Sequence, residues 1–213
     1  MDEKTNWQSL EKNGPITEYN EPFIEQRADP FVCKAADGTY YFTASYPAYD
    51  RILLRSSKTL NGLKDAKERQ IWVKHEHGLM SCHIWAPELH FVYGKWYIYF
   101  AAGEAEDVWR IRPYVLECDG SPMTGEWSEL GPMKGCDDDP FSFTDFSLDG
   151  TIFEHKGDYY SVWAQKASTI SNLYIAKMAA PTKLATVMEM ITTPDYDWLR
   201  IFFWVNYGTA MLK

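Results

Sequence analysis

The sequence predicts an all-β protein of repeated, radially arranged four-stranded units, a β-propeller, on three observations. Aromatic side chains are abundant, with 9 Trp, 14 Tyr and 11 Phe in 213 residues, and such residues favour strands over helices. A short signature recurs three times. Between its copies lie further short strand-like runs, while helical periodicity is scarce. A β-sandwich is the structural alternative.

Each copy of the signature has a turn glycine, one further residue, two aromatics and then a β-rich run. The copies are DGTYYFTAS at 37–45, YGKWYIYFAAG at 93–103 and KGDYYSVWAQ at 156–165. Gly38, Gly94 and Gly157 are 56 and 63 residues apart, a length that holds about four short strands. Glycine at the turn supplies positive φ for a hairpin, and the aromatic pair then straddles the two sheet faces. RILLRSS at 51–57, YVLECD at 114–119 and NLYIAKM at 172–178 supply later strands of each unit. NGLKDAKERQIW at 61–72 has room for a turn or two of helix, and NWQSLEKNG at 6–14 for one. GCDDDPFSFTD at 135–145 reads as a solvated acidic loop.

Residues 1–213 read as a single domain, with no linker or low-complexity tract. At roughly 60 residues per unit they hold about three and a half blades, whereas closed propellers have about four to eight. The final run, RIFFWVNYGTAMLK at 200–213, is therefore expected to open a fourth, incomplete blade. Open blade edges would leave unpaired strands available for self-association.

Charge narrows the partners. The net charge is −9, from 21 basic and 30 acidic residues, with no Lys/Arg run. Phosphate backbones would be repelled, which argues against nucleic acid and favours a neutral ligand such as a sugar. MDEKTNWQSLEKNG at the start has no apolar h-region, and no run approaches the roughly 20 apolar residues of a membrane span. A cytoplasmic location without membrane contact is the expectation. Cys33, Cys82, Cys118 and Cys136 are scattered without a CxxC pair, as reduced thiols would be, and their spacing does not suit zinc.

Three polar or aromatic residues stand at comparable depth, 7 to 9 residues before a signature glycine: Asp29 in RADPFV, Trp85 in HIWAPELHF and Asp149 in FSLDGTIFEH. Equivalent positions of successive blades converge on a propeller's axis, so the three are expected to meet there. Each also has a plainer reading. Asp29-Pro30 suits the start of a strand, Asp149-Gly150 suits a hairpin turn, and Trp85 suits a core. Glu104, Glu106 and Asp107 read as a solvated loop, and His75, His77, His83, His90 and His155 show no metal-ligand spacing.

Taken together, RADPFV, HIWAPELH, KWYIYFAAGEAEDVWRIRPYVLECDG, FSLDGTIFEHKGDYYSVWAQ and PDYDWLRIFFWVN resemble glycoside hydrolase family 43, in particular its α-L-arabinofuranosidase-like members. The resemblance implies a five-bladed β-propeller with an axial funnel, which cleaves arabinofuranosides or xylosides with inversion. It makes Asp29 the general base and Asp149 the group that orients the acid and raises its pKa. Trp85, Gln165 and Arg200 would contact the sugar or its surroundings. It implies no catalytic cofactor. The axial calcium or water of many members draws a His ligand from sequence beyond Lys213.

The proton donor departs from the pattern. The family reads GFWVNEGP where this chain reads FFWVNYGT, which places Tyr207 at the acid's position, Phe202 for a Gly and Thr209 for a Pro. A phenol of pKa about 10 is a poor acid near neutrality. Hydrolysis is therefore expected to be impaired, and a non-catalytic carbohydrate-binding relative is the alternative. Fructan-cleaving propellers are a weaker one, resting on ADP and on Glu117-Cys118, since their NDPNG start is missing.

Overall fold

The computed structural model describes residues 22–208. β1 (Ala28–Lys34), β2 (Tyr40–Ser45), β3 (Arg51–Ser57) and β4 (Arg69–Val73) form one antiparallel sheet in chain order. β5 (Cys82–Val92), β6 (Lys95–Gly103), β7 (Arg112–Asp119) and β8 (Glu126–Pro132) repeat that meander. A third sheet begins with β9 (Ser147–His155), β10 (Asp158–Ala167) and β11 (Ile170–Ala180). Its outer position is filled piecewise: β12 (Lys183–Leu184), β13 (Glu189–Thr192) and β14 (Trp204–Val205) each pair with a different stretch of β11.

The signature glycines take the conformation that the turns need. Gly38, Gly94 and Gly157 have φ of 82°, 78° and 85°. At the β5–β6 and β9–β10 hairpins the preceding residues, Tyr93 and Lys156, are left-handed too, at 49° and 53°. Two left-handed central residues give a tight turn whose twist matches that of the strands it joins.

The aromatic load is spent between sheets. Tyr41, Ile52, Leu54 and Ile84 pack with Leu89, Ile98, Phe100 and Tyr114 in a core joining the first two sheets, flanked by Trp72, Trp96 and Trp127. Tyr97, Tyr99, Val115, Ile152, Trp163 and Tyr174 form the corresponding core between the second and third. Large flat side chains fill the space between twisted sheets. This packing sets β1 against β5 and β5 against β9, so the first strand of every sheet faces a common centre.

Three expectations are corrected. The 61–72 run holds only a 3-10 turn at Asn61–Leu63 before β4, while the 6–14 run lies outside the described residues. No fourth sheet opens within the described residues. After a 3-10 turn at Asp197–Arg200, the aromatic run gives only the two-residue β14, parallel to Ile170–Ser171 on the third sheet. Phe202 is 93% exposed: an apolar run extends into a strand only where a neighbour pairs with it. The acidic loop is also more than solvated surface. Asp139 is buried and accepts from the Phe141 and Ser142 amides at 2.8 and 3.0 Å, from the Ser142 hydroxyl, and from the Met188 amide at 2.9 Å.

That network predicts a contrast between neighbours. Asp139→Ala leaves buried donors unsatisfied and should cost roughly 2–4 kcal/mol, whereas Asp138→Ala, on the exposed side, should stay within about 0.5 kcal/mol in urea unfolding.

Candidate active site

Each innermost strand carries a bulge at the same depth. In β1 the pairing skips from Ala28↔Ser45 to Phe31↔Thr43, which sets Asp29-Pro30 out of register. In β5 it skips from Trp85↔Ala101 to Glu88↔Tyr99 around Ala86-Pro87. In β9 it skips from Leu148↔Ala164 to Thr151↔Val162 around Asp149-Gly150. Asp29, Ala86 and Asp149 all adopt left-handed backbone, with φ of 50°, 44° and 52°. A bulge breaks the ladder and re-aims a side chain, and proline, lacking an amide hydrogen, is at home there. Asp149-Gly150 is thus a bulge within a strand and not a hairpin turn.

The three bulged residues line one channel of about 1040 Å³, together with Phe31, Glu88 and His90. The structural counterpart of the two aspartates in the second sheet is therefore Ala86, one residue beyond Trp85. Trp85 itself is not among the residues lining the channel: its side chain packs on Ala101, Ile111 and Leu148 and belongs to an aromatic cluster. It meets Tyr49 edge-on at 6.0 Å and His83 at 4.6 Å, and His83 stacks on Trp109 at 4.9 Å. Burial lowers the His83 pKa, which favours its neutral form.

Asp29 is held from the neighbouring strand. Its Oδ2 accepts from the Ser45 hydroxyl at 2.7 Å, and the Ser45 Oγ accepts from the Ala86 amide at 2.8 Å. This relay ties the bulge of the first sheet to that of the second. Asp149 accepts from the Gly208 amide at 3.1 Å. The chain reaches it by crossing the end of the third sheet, where the Asn206 amide donates to the Ser171 carbonyl at 3.0 Å. Tyr207 lies on the same segment, near enough for the Asp149 charge to act on its phenol, but it is not among the residues lining the channel.

Electrostatics separate these groups. Burial pushes the Asp149 carboxyl up to about 6; the Gly208 amide pulls it down, while the charges of Asp29 and Glu88 push it further up. Burial, with the charge of Asp149 adding, raises the Tyr207 phenol above its ordinary value. Tyr207 therefore holds its proton at neutral pH.

The remaining residues singled out from sequence lie elsewhere. Gln165 is 3% exposed, and its Oε1 accepts from the Phe143 amide at 2.7 Å, the Ser147 hydroxyl at 3.1 Å and the Trp163 indole at 3.2 Å. Its Nε2 donates to the Phe141 carbonyl at 2.8 Å, so the side chain fastens the 141–147 loop. Arg200 donates to the Pro194 carbonyl at 2.8 Å and lies over the Trp204 ring, on the exposed 3-10 turn. Glu117, on β7, accepts from Lys95 and from the Tyr97 hydroxyl. Sequence reading missed Ser45, Glu88, His90 and the Gly208 amide. Ser45 closes the first signature and Glu88 stands within WAPEL, but only strand pairing shows where each points.

Among the described residues no three His, Cys, Asp or Glu side chains stand together so as to hold a metal ion. The four cysteines are unpaired. Among the described residues no helix is long and apolar enough to cross a membrane.

Three sheets whose bulged inner strands bring Asp29 and Asp149 to one channel make an all-β, propeller-like scaffold. The family description "Glycosyl hydrolases family 43" matches residues 19–212, and the chain belongs to that family. It is 47% identical over 199 residues to an extracellular exo-α-(1→5)-L-arabinofuranosidase of Streptomyces chartreusis, covering 92% of this chain and 59% of that protein. The same-named protein of Streptomyces avermitilis is 46% identical over 203 residues, covering 93% of this chain and 41% of the relative. The crystal structure of an α-L-arabinofuranosidase from Lactobacillus brevis matches with a TM-score of 0.78 and 48% identity, covering 88% and 60% of the two chains. The chain thus spans about two-fifths to three-fifths of these relatives' lengths. Their names also correct the cytoplasmic location: two of them are extracellular proteins, and the composition of residues 1–14, on which that reading rested, does not determine a compartment.

The raised Asp149 carboxyl has a consequence for stability. The folded state favours its protonated form, so this contribution is full below the ordinary carboxylate range and lost as pH rises through about 6. Asp149→Asn, which keeps an acceptor for Gly208, should show an advantage over the parent that grows between pH 4 and 6. It should level at about 2–3 kcal/mol above that, read from urea unfolding across pH.

Proposed function

We propose that this chain carries the arabinofuranoside-cleaving site of an inverting glycosidase, on sheets that belong to a five-bladed ring, in a secreted protein. One observation carries the reading: two aspartates on matching bulges of separate sheets line one channel, and the charge of one raises the pKa of the other. Inverting cleavage needs a base to activate water and a donor across the sugar, with carboxyl groups roughly 6.5–9.5 Å apart. Asp29, oriented by Ser45, takes the proton of the attacking water. Asp149 supplies the charge that sets the donor's pKa, and the Trp85–His83–Trp109 cluster gives apolar faces on which a sugar ring packs. The relatives named as arabinofuranosidases support arabinose as the sugar.

Tyr207 stands at the donor position, and its phenol is a weak acid there. Cleavage of bonds with basic leaving groups is therefore slow in this chain, whereas an aryl leaving group departs with little protonation. Arabinose release from 4-nitrophenyl α-L-arabinofuranoside should fall at least about 10²-fold in Asp29→Asn. Tyr207→Glu should raise the rate on arabino-oligosaccharides by about 10²–10⁴ and change the aryl substrate much less. Absence of any release above the Asp29→Asn background would sink the reading. In that event, calorimetric binding of arabino-oligosaccharides without turnover would establish the carbohydrate-binding alternative, which the tyrosine at 207 favours.

A further inference from the structure

Below the bulges, the channel holds a hydrogen-bonded pair that no role above uses. Glu88 lies two residues after Ala86 on β5, and its Oε2 accepts from His90 Nε2 at 2.8 Å. The pair is 15% and 12% exposed and lines the same channel as Asp29 and Asp149. His90 is boxed by the Phe31 ring from β1 at 5.1 Å and the Tyr99 ring from β6 at 5.8 Å. No Lys or Arg lines the channel among the described residues. Four carboxylates, Asp29, Glu88, Asp149 and Glu154, line it, and His90 is in hydrogen-bond contact with Glu88.

We infer that Glu88 and His90 act together as a positioning pair, in which His90 holds the Glu88 carboxylate on the channel wall so that its charge bears on Asp149. The inference deepens the proposed function by adding two residues to its site, and it rests on that reading for its catalytic meaning only. The electrostatic coupling is independent of turnover. The charge of Glu88 raises the Asp149 pKa in the same sense as that of Asp29. Other titratable groups around Asp149 are Asp29 and Cys33 on β1, Tyr99 on β6, Tyr159 on β10, Glu154 and His155 farther along β9, and Tyr207. Arg112 of β7 is turned away, onto the Ile111 and Thr144 carbonyls. Removing Glu88 leaves the channel one negative charge short, so Asp149 ionises more readily. Removing the imidazole frees the Glu88 carboxylate from its place on the wall, so its charge bears less on Asp149 and Asp149 again ionises more readily.

The test is a titration of Asp149 in the whole chain by carbon NMR with carboxyl-labelled aspartate, its resonance assigned with Asp149→Asn. Glu88→Gln should move the midpoint down by roughly half a pH unit or more, and His90→Asn, which loosens the Glu88 carboxylate, should move it down by less. If Glu88→Gln fails to fold, the downward shift in His90→Asn carries the inference alone. Midpoints unmoved in the folded variants, or moved up by either substitution, would overturn it. The pH profile of aryl-arabinofuranoside cleavage should shift with the NMR midpoint. Activity absent from every variant while the NMR shifts persist would defeat the proposed function and leave the coupling standing; activity present with the midpoint unmoved would do the reverse.

Discussion

A left-handed residue in the middle of each innermost strand is the constraint on which the site depends. A regular strand alternates its side chains between two faces, and a residue one step out of phase would be buried between sheets. The bulges at Asp29, Ala86 and Asp149 break that alternation at one depth. They turn two carboxylates and an amide hydrogen towards the axis without disturbing the hydrophobic pattern above and below. Positive φ strains any residue with a Cβ, and the surrounding ladder over-determines it. Asp29 and Ala86 are followed by proline and Asp149 by glycine, residues that suit a broken ladder.

The cores between sheets give this arrangement its stiffness. Aromatic side chains fill the wedges between sheets, so the relative positions of β1, β5 and β9 are set by packing at a distance from the channel. Polar cross-links then act over short range. Ser45 couples Asp29 to the Ala86 amide, and the crossing segment couples Gly208 to Asp149. A carboxylate in a partly dry channel is sensitive to every neighbouring charge, because its solvation is already incomplete. The separation of Asp149 from an ordinary carboxylate follows from burial first and from its acidic company second.

The segment after β13 shows how sequence and surroundings divide a task. Its aromatic residues lie mostly exposed, and only Trp204 among them pairs with β11, next to Val205. What the segment contributes is a backbone amide at Asp149 and a phenol near it.

Much of the architecture was legible in the residues. The repeat of turn glycine and paired aromatics marked β2, β6 and β10, and the runs at 51–57, 114–119 and 172–178 fall within β3, β7 and β11. Asp29 and Asp149 stood out by their depth in the repeat. Other features were not legible. Ala86 rather than Trp85 matches the aspartates, because a bulge is defined by counting residues on two paired strands. Gln165 and Asp139 are polar residues whose buried partners lie in distant loops. Local periodicity, turn chemistry and composition depend on neighbours in the chain, so the sequence alone determined the all-β class, the repeat and the family likeness. Register, burial and the charges around each carboxyl depend on partners far away in sequence. Only the tertiary structure therefore decided that Asp29 and Asp149 face one channel, that Glu88 and His90 face it with them, and that Asp149 is the carboxyl whose proton is held to about pH 6.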